Sequence, residues 1–155
     1  MWIDERGSEV LELPECRRLL SFGAKIGLHG HLGINESPSP LVLPVNYGVA
    51  GHDVVINVGE GIFGKVGHAN MVAFQVDGVE GDRYWSVLVR GLAIEVDEDE
   101  IRREVSHLQI ATPGRRFVRI RSDVVTGRRL APSDSGSSRP DSAIQGAGFQ
   151  KGNRA

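Results

Sequence analysis

The chain has only one cysteine and no long hydrophobic run near its N-terminus, and each shortage excludes a class of protein. Its one cysteine cannot form an intramolecular disulfide, and a zinc site built from several cysteines is excluded as well. The charged N-terminus has no apolar run long enough for a signal peptide or a membrane span. These shortages predict a protein of the reducing cytoplasm.

The chain also lacks a charge excess of one sign. Lys and Arg number 18 against 20 Asp and Glu, which gives a formal net charge of −2 at pH 7. Such a balance provides no global attraction to nucleic acid or to anionic membranes, so we expect neither as a partner. Most of the cations are arginine, whose planar guanidinium matches phosphates and carboxylates better than a lysine ammonium does. Local anion-binding sites are therefore still compatible with the sequence.

A β pattern with a period of two covers residues 84–91, YWSVLVRG. Both faces of this strand are partly apolar, which is typical of a barrel wall that is covered on both sides. Gly91 then permits a bend or a close approach of another backbone segment. One face carries Trp85, Val87 and Val89, and the other carries Ser86, Leu88 and Arg90.

Turn and helix signals divide the rest of the chain into short elements. Pro14 begins a helix over residues 14–22 that Gly23 stops, and Asp97 caps a second helix that runs to about Leu108. A glycine-rich loop at 59–68 holds a short helix, and turns fall at 35–40, 50–53 and 77–82. Further extended segments are predicted at 24–32, 41–49, 54–58, 71–76, 117–121 and 124–130.

These elements give about six strands and two or three short helices in one domain at residues 1–130. Residues 131–155 are rich in Ser, Gly and Pro and have few large apolar side chains. Such a segment cannot bury enough surface to offset its ordering entropy, so we expect a disordered tail.

The ordered motifs PVNY, GEG, VAFQVD, WSVLVRG, FVRI and VTGRRL resemble the pyridoxamine 5′-phosphate oxidase-like superfamily over residues 12–130. They are most similar to its small actinobacterial and nitroimidazole-resistance-like members. The resemblance implies a mainly β, six-stranded split barrel of Greek-key type that forms a homodimer. Most members bind FMN at the dimer interface, while relatives bind a deazaflavin or haem and some have no assigned ligand.

The resemblance also implies where a flavin would bind. The ring would lie along the strand that contains residues 44–47, with Trp85 and Ser86 near it. The phosphate would lie over the loop at residues 57–65. The implied cofactor-binding residues are Pro44, Val45, Asn46, Tyr47, Asn57, Lys65, Trp85 and Ser86.

The phosphate loop departs from the pattern of the superfamily. Relatives carry Arg-Thr before the Gly-x-Gly and Thr-Lys or Ser-Lys after it, whereas this chain has Asn57-Val58 and Ile62-Phe63, with Lys65 two residues late. Each lost charge-assisted contact is worth roughly 1.5–3 kcal/mol. Together the losses weaken FMN binding by on the order of a hundredfold or more.

Histidine, cysteine and arginine supply the other candidates for chemistry. His29 and His31 share one face of a strand, and His68 follows the glycine loop, so these three are the candidate haem ligands. The default for each is an exposed or hydrogen-bonded histidine, and no metal site is predicted. Cys16 is expected to be a buried, unreactive thiol. For Arg90 we expect a solvated or interfacial side chain, and for the doublet Arg128 and Arg129 we expect solvated side chains.

The first hypothesis is an FMN-binding oxidoreductase, with hydride transfer at a dimer-interface flavin and a small-molecule substrate or electron donor. No catalytic residue is assigned, because the cofactor would supply the chemistry. A second hypothesis is a cofactor-poor dimeric binding or stress-response protein of the same fold. A deazaflavin-binding or haem-binding relative is the third.

Overall fold

One curled antiparallel sheet with three short helices forms the part of the chain that a computed structural model describes, residues 2–3, 7–105 and 116–130. The helices of these ranges are α1 (Leu13–Lys25), α2 (Glu60–Val66) and α3 (Glu98–Glu104). Their strands are β1 (Trp2–Ile3), β2 (Glu9–Val10), β3 (Gly30–Ile34), β4 (Leu41–Val45), β5 (Tyr47–Ala50), β6 (Asp53–Val58), β7 (His68–Glu80), β8 (Arg83–Val96), β9 (Arg116–Ile120) and β10 (Val124–Arg129).

The long hairpin of β7 and β8 organises the sheet. One edge of β8 pairs with β7, and its other edge pairs first with β10 and then, beyond Gly91, with β9. From this hairpin one branch continues through β3 to β4, and another continues from β9 through β6 to β5. Because β4 and β5 are separated only by Asn46, the two branches return to each other and the sheet curls into a split barrel.

The alternation predicted for residues 84–91 is confirmed. Trp85, Val87 and Val89 are wholly buried, whereas Ser86 and Leu88 are half-buried and Arg90 is exposed. The inward side chains of β3, β6, β7 and β8 meet those of α1 in one core. A smaller apolar cluster on the other side of β6 joins Val55 and Phe117 to Ile101 of α3.

The first helix continues past the predicted stop. Gly23 lies inside α1. A glycine is required at this position, because a Cβ there would lie 2.4 Å from the Tyr47 hydroxyl. That hydroxyl donates to the Leu20 carbonyl oxygen at 2.7 Å, so the glycine leaves space for a buried tyrosine. The strand predicted at 24–32 is therefore wrong in its first part, where Ala24 and Lys25 remain helical and β3 begins only at Gly30.

The described ranges hold ten strands, whereas the sequence predicts about six. The short β1 and β2 were not predicted, and the segment at 41–49 is divided at Asn46 into β4 and β5. The predicted turn at 77–82 shrinks to Gly81 and Asp82, because β7 and β8 extend as one hairpin.

The ends of the second predicted helix also differ from expectation. Asp97 caps α3 as predicted, since its Oδ1 accepts from the Asp99 backbone N–H at 2.7 Å. The helix ends at Glu104, short of residue 108. The predicted tail at 131–155 lies outside the described residues, as does position 108 itself. In the described part of the chain, no helix has the length and apolarity to cross a membrane.

Replacing Gly91 with Ala tests the closure of the sheet. A Cβ at this position would lie 1.8 Å from the carbonyl oxygen of Arg121, and a backbone atom cannot rotate away. We expect Gly91→Ala to lower the free energy of unfolding by about 3 kcal/mol or more, measured by urea denaturation. Gly64→Ala in α2 is the control: no atom lies within 4 Å of its added methyl group, and helix propensity favours it by up to about 1 kcal/mol. Equal stabilities of the two variants would contradict the role of Gly91.

Candidate functional site

The segment implied to hold a flavin ring runs from the end of β4 into β5. Its side chains alternate: Val45 and Tyr47 are buried, whereas Pro44 is exposed and Asn46 is half-buried. The Tyr47 ring packs on Phe74 with centroids 4.9 Å apart. Burial raises the pKa of Tyr47, so the hydroxyl stays protonated and keeps its bond to Leu20. Only the backbone, Pro44 and Asn46 are therefore available to a ligand from outside the core.

Trp85 and Ser86 lie on opposite faces of β8. The Trp85 side chain is wholly buried and packs edge-on against Phe22, with centroids 6.4 Å apart. Its indole Nε1 has no hydrogen-bond partner among the described residues. Ser86 is half-buried on the outer face, opposite Asp77 of β7 in the strand register. The structure brings Trp85 close to Tyr47 in the core and leaves Ser86 on the other side of the sheet.

The loop implied to hold a phosphate is built largely from apolar side chains that face inward. Val58 and Phe63 are buried in the core, and Ile62 packs against it. Asn57 is 2% exposed, and neither its side-chain oxygen nor its nitrogen has a hydrogen-bond partner among the described residues. A buried carboxamide without partners is uncommon, because each unsatisfied group costs about 1–3 kcal/mol.

Asn46 is the last residue before the ladder of β5 and β6 begins. Tyr47 of β5 pairs with Ile56 of β6, and Asn46 and Asn57 are the next residues along the two segments from this pair. The ring segment and the phosphate loop therefore each carry an uncharged amide next to their first paired residues.

The cations near this position are already paired. Lys65 forms an ion pair with Glu36. The Arg116 guanidinium lies 4.6 Å from the centroid of the Phe63 ring and pairs with Glu60 at 3.0 Å and Glu95 at 3.2 Å. Among the described residues, Arg116 is therefore already shared between two carboxylates.

These observations test the fit of a flavin in two parts. A phosphate dianion needs a cation and several donors, and the residues at positions 57–65 do not provide that set. The uncharged edge of the ring needs backbone groups and neutral donors and acceptors, which Asn46, Asn57 and the open backbone beside Pro44 supply. The donor set fits a ring and does not fit its phosphate.

A groove of about 390 Å³ lies on the outer face of β3, β7 and β8, and the sequence did not predict it. Small residues sit side by side at its floor, because Gly33 pairs with Ala73 in the register and Ala73 pairs with Arg90. The signal was present in the sequence as two small residues on strands. Their adjacency depends on pairing between strands that are distant along the chain. Lining residues are Gly33, Asn35, Pro40, Met71, Ala73 and Arg90.

The remaining candidates take ordinary structural positions. His29 and His31 are exposed, and His68 packs edge-on against Phe63, with ring centroids 5.8 Å apart. Cys16 is wholly buried, and burial raises the pKa of its thiol, as expected for an unreactive cysteine. The prediction of a solvated Arg129 is wrong, because its side chain is half-buried in ion pairs with Glu9 and Glu15. The described residues contain no cluster of three or more potential metal ligands.

The curled sheet, with its long hairpin and its split between β4 and β5, defines a split-barrel protein. The chain belongs to the pyridoxamine 5′-phosphate oxidase family, whose model matches residues 13–129. The family predicted from the motif order is therefore confirmed. No curated protein shows significant similarity to the chain.

Solved structures with the same fold include two from actinobacteria. The FAD-binding protein from Mycobacterium smegmatis aligns with a TM-score of 0.65 and 26% identity, over 79% of this chain and 100% of that one. A candidate pyridoxamine 5′-phosphate oxidase from Corynebacterium glutamicum aligns with a TM-score of 0.64 and 28% identity, over 80% and 98%. A candidate 5-nitroimidazole antibiotic resistance protein from Bacteroides thetaiotaomicron shares the fold, with a TM-score of 0.59 and 18% identity, over 79% and 87%.

Replacing Asn57 with Leu tests whether its amide is kept for a binding partner. If the isolated chain offers the amide no partner, Asn57→Leu should raise the free energy of unfolding by about 1–3 kcal/mol, because the buried polar penalty disappears. Asn70→Leu is the matched control: the Asn70 amide donates to the Lys65 carbonyl at 2.6 Å, and its loss should cost about 0.5–1.5 kcal/mol. Chemical denaturation of both variants measures the difference. A less stable Asn57→Leu variant would show that the amide is already satisfied within the chain.

Proposed function

We propose that this chain works as a homodimer that binds a flavin-type ring beside the segment from Pro44 to Tyr47. The observation that carries the proposal is the buried Asn57 amide, which has no hydrogen-bond partner among the described residues and follows Ile56, the residue that pairs with Tyr47. It is supported by the FAD-binding relative from Mycobacterium smegmatis, which this chain covers over its whole length. The chain would then be an oxidoreductase of the cytoplasm.

The outer face of β3, β7 and β8 is the proposed dimer interface. Val42 and Met71 are more than half exposed there, at 66% and 52%. Between them lie Gly33 and Ala73, whose small side chains allow another surface to approach closely. An exposed apolar patch around small residues is typical of a protein interface, and members of the family are homodimers. A second copy is therefore the proposed occupant of this groove.

The hydrogen-bond donors and acceptors of the chain suggest which parts of the reaction the flavin and the protein would each supply. A bound flavin supplies hydride transfer at its ring, for a small-molecule substrate or electron donor. The chain would bind the uncharged edge of the ring with backbone groups and asparagine amides, and its apolar core behind Val45 and Tyr47 would hold that segment rigid. A deazaflavin has the same ring shape, and the residues do not choose between it and FMN.

A second candidate function is favoured by the Arg116 ion pairs. Glu60 and Glu95 pair with Arg116. Phe63 is buried at the sequence position where relatives have a lysine. A barrel closed in this way at the phosphate position suits a cofactor-free dimeric binding or stress-response protein. Haem binding through His29, His31 or His68 stays a prediction, and a Soret band lost on substitution of one histidine would support it.

Disruption of the outer sheet face tests the dimer. Ala73→Arg places a second cation opposite Arg90 at the centre of the proposed interface, where like charges repel and burial of an unpaired charge is costly. We expect the mass from size-exclusion chromatography with light scattering to fall from twice the chain mass to the chain mass. Lys25→Glu, an exposed change at the end of α1, should leave the dimer intact. A wild-type protein that is monomeric at tens of micromolar would contradict the proposal.

Flavin binding is tested by the visible spectrum of the freshly purified protein and by fluorescence-quenching titrations with riboflavin and FMN. Because the phosphate position offers no unpaired cation among the described residues, we expect the two ligands to bind with affinities within about threefold of each other. A variant with Asn57→Arg, Val58→Thr, Ile62→Thr and Phe63→Lys should then favour FMN alone, on the order of a hundredfold.

The outcomes separate the two candidate functions. If neither flavin binds the wild type but the fourfold variant binds FMN, the cofactor-free function is supported. FMN binding to the wild type a hundredfold more tightly than riboflavin would overturn our interpretation of the loop. Failure of every protein to bind any flavin would reject the flavin proposal.

A further inference from the structure

A second groove, of about 280 Å³, lies between α1 and the turn that joins β5 to β6. It shares no lining residue with the groove on the outer sheet face. Its volume is close to the lower end of small-molecule sites, roughly 300–1,000 Å³, so a small ligand would fill it. Apolar side chains form part of its wall, and polar and charged ones form the rest: Pro14, Leu20 and Val49, with Arg17, Ser21 and His52.

Arg17 is the cation that this groove leaves without a partner. Its Nε is buried and has no hydrogen-bond partner among the described residues. A guanidinium is charged at every physiological pH and carries five N–H donors in a fixed fork. A buried guanidinium N–H without an acceptor is unfavourable, and an anion that binds to the partly exposed Arg17 side chain would gain a charge-assisted hydrogen bond.

The neighbouring arginine cannot take the same role. Arg18 also lines the groove, but its guanidinium donates to Glu15 at 2.7 Å and to Glu80 at 2.6 Å. Arg18 and then Arg129 lower the pKa of Glu15 to about 2, so this carboxylate stays ionised and keeps both arginines engaged. These ion pairs engage the carboxylates of Glu15 and Glu80. Arg17 is therefore the arginine of this groove that a ligand would bind.

The opposite wall of the groove is held in place by its own hydrogen bonds. The Asp53 carboxylate accepts from the Ser122 backbone N–H at 3.0 Å and from Arg119 at 3.3 Å. The Ser122 hydroxyl donates to the carbonyl oxygen of His52. These contacts tie the turn between β5 and β6 to the connection between β9 and β10. A wall fixed before binding reduces the entropy cost of holding a ligand.

We propose that this groove binds a small monocarboxylate with an apolar chain, its carboxylate on Arg17 and its chain along Pro14 and Val49. The planar fork of arginine matches the two oxygens of a carboxylate. Pro14 is exposed and Val49 is half-buried, so both offer apolar surface that an alkyl or aryl chain would cover. A phosphate suits the groove less well, since one free cation would face a dianion between apolar walls. The site is independent of flavin binding.

The test is an amide NMR titration of the full chain with hexanoate, with hexan-1-ol and inorganic phosphate as comparators. Hexanoate should shift the amide signals of Val49, Gly51 and His52 in a saturable way. Hexan-1-ol has the chain without the charge, and phosphate has the charge without the chain, so each should bind at least tenfold more weakly. Equal binding of either comparator, or no saturable shift at millimolar hexanoate, would overturn the proposal.

Variants of Arg17 locate the site. Arg17→Gln should weaken hexanoate binding at least tenfold, and Arg17→Lys, which keeps the charge and loses the fork, should fall between it and the wild type. Arg102→Gln is the control, since Arg102 pairs with Glu98 on α3 and does not line the groove. The wild-type pattern of the unaffected amides confirms that each variant is folded. Unchanged affinity in both Arg17 variants would overturn the assignment.

Discussion

The close contact between Gly91 and the carbonyl group of Arg121 is the constraint on which the barrel depends. At this point the second edge of β8 changes partner, because β10 begins opposite Arg90 and β9 ends opposite Ala93. The backbone of Arg121 crosses β8 where a Cβ of residue 91 would lie, and its N–H donates to the carbonyl oxygen of Leu92 at 3.0 Å. The two branches of the sheet diverge here. The pairing of β5, β6 and β9 with the rest of the barrel therefore requires a residue without a side chain at position 91.

The candidate ring site inherits its geometry from the core that this closure creates. Tyr47 holds α1 through the carbonyl group of Leu20, and Gly23 leaves space for it. Because Val45 and Tyr47 are fixed inside, the backbone at Asn46 between β4 and β5 is held in one position. The same packing removes the side chains of Tyr47 and Trp85 from direct contact with any ligand outside the core. Their contribution to a site is therefore to position the neighbouring backbone.

Local patterns in the sequence predicted the strand at 84–91, the cap at Asp97 and the short helix after Gly59, because each depends on neighbours along the chain. Gly23 misled the prediction, since a glycine that ends a helix and a glycine that admits Tyr47 have the same sequence signal. The division at Asn46 was also missed, because it results from two branches of one sheet meeting. The loss of the cation at Asn57 was visible in the sequence, whereas the ion pairs of Arg116 depend on strand pairing between β6 and β9.

The distribution of charge limits which arginines of this chain are available to a ligand. An arginine-rich chain would bind anions at many places if its guanidinium groups were free. Here Arg116, Arg18, Arg119 and Arg129 each pair with two carboxylates, and these pairs join distant elements of the fold. Arginines engaged in this way stabilise the fold, and they could bind a ligand only if these ion pairs were broken. The proposed carboxylate site at Arg17 and the proposed ring site beside Asn46 therefore do not draw on the arginines that hold the fold together.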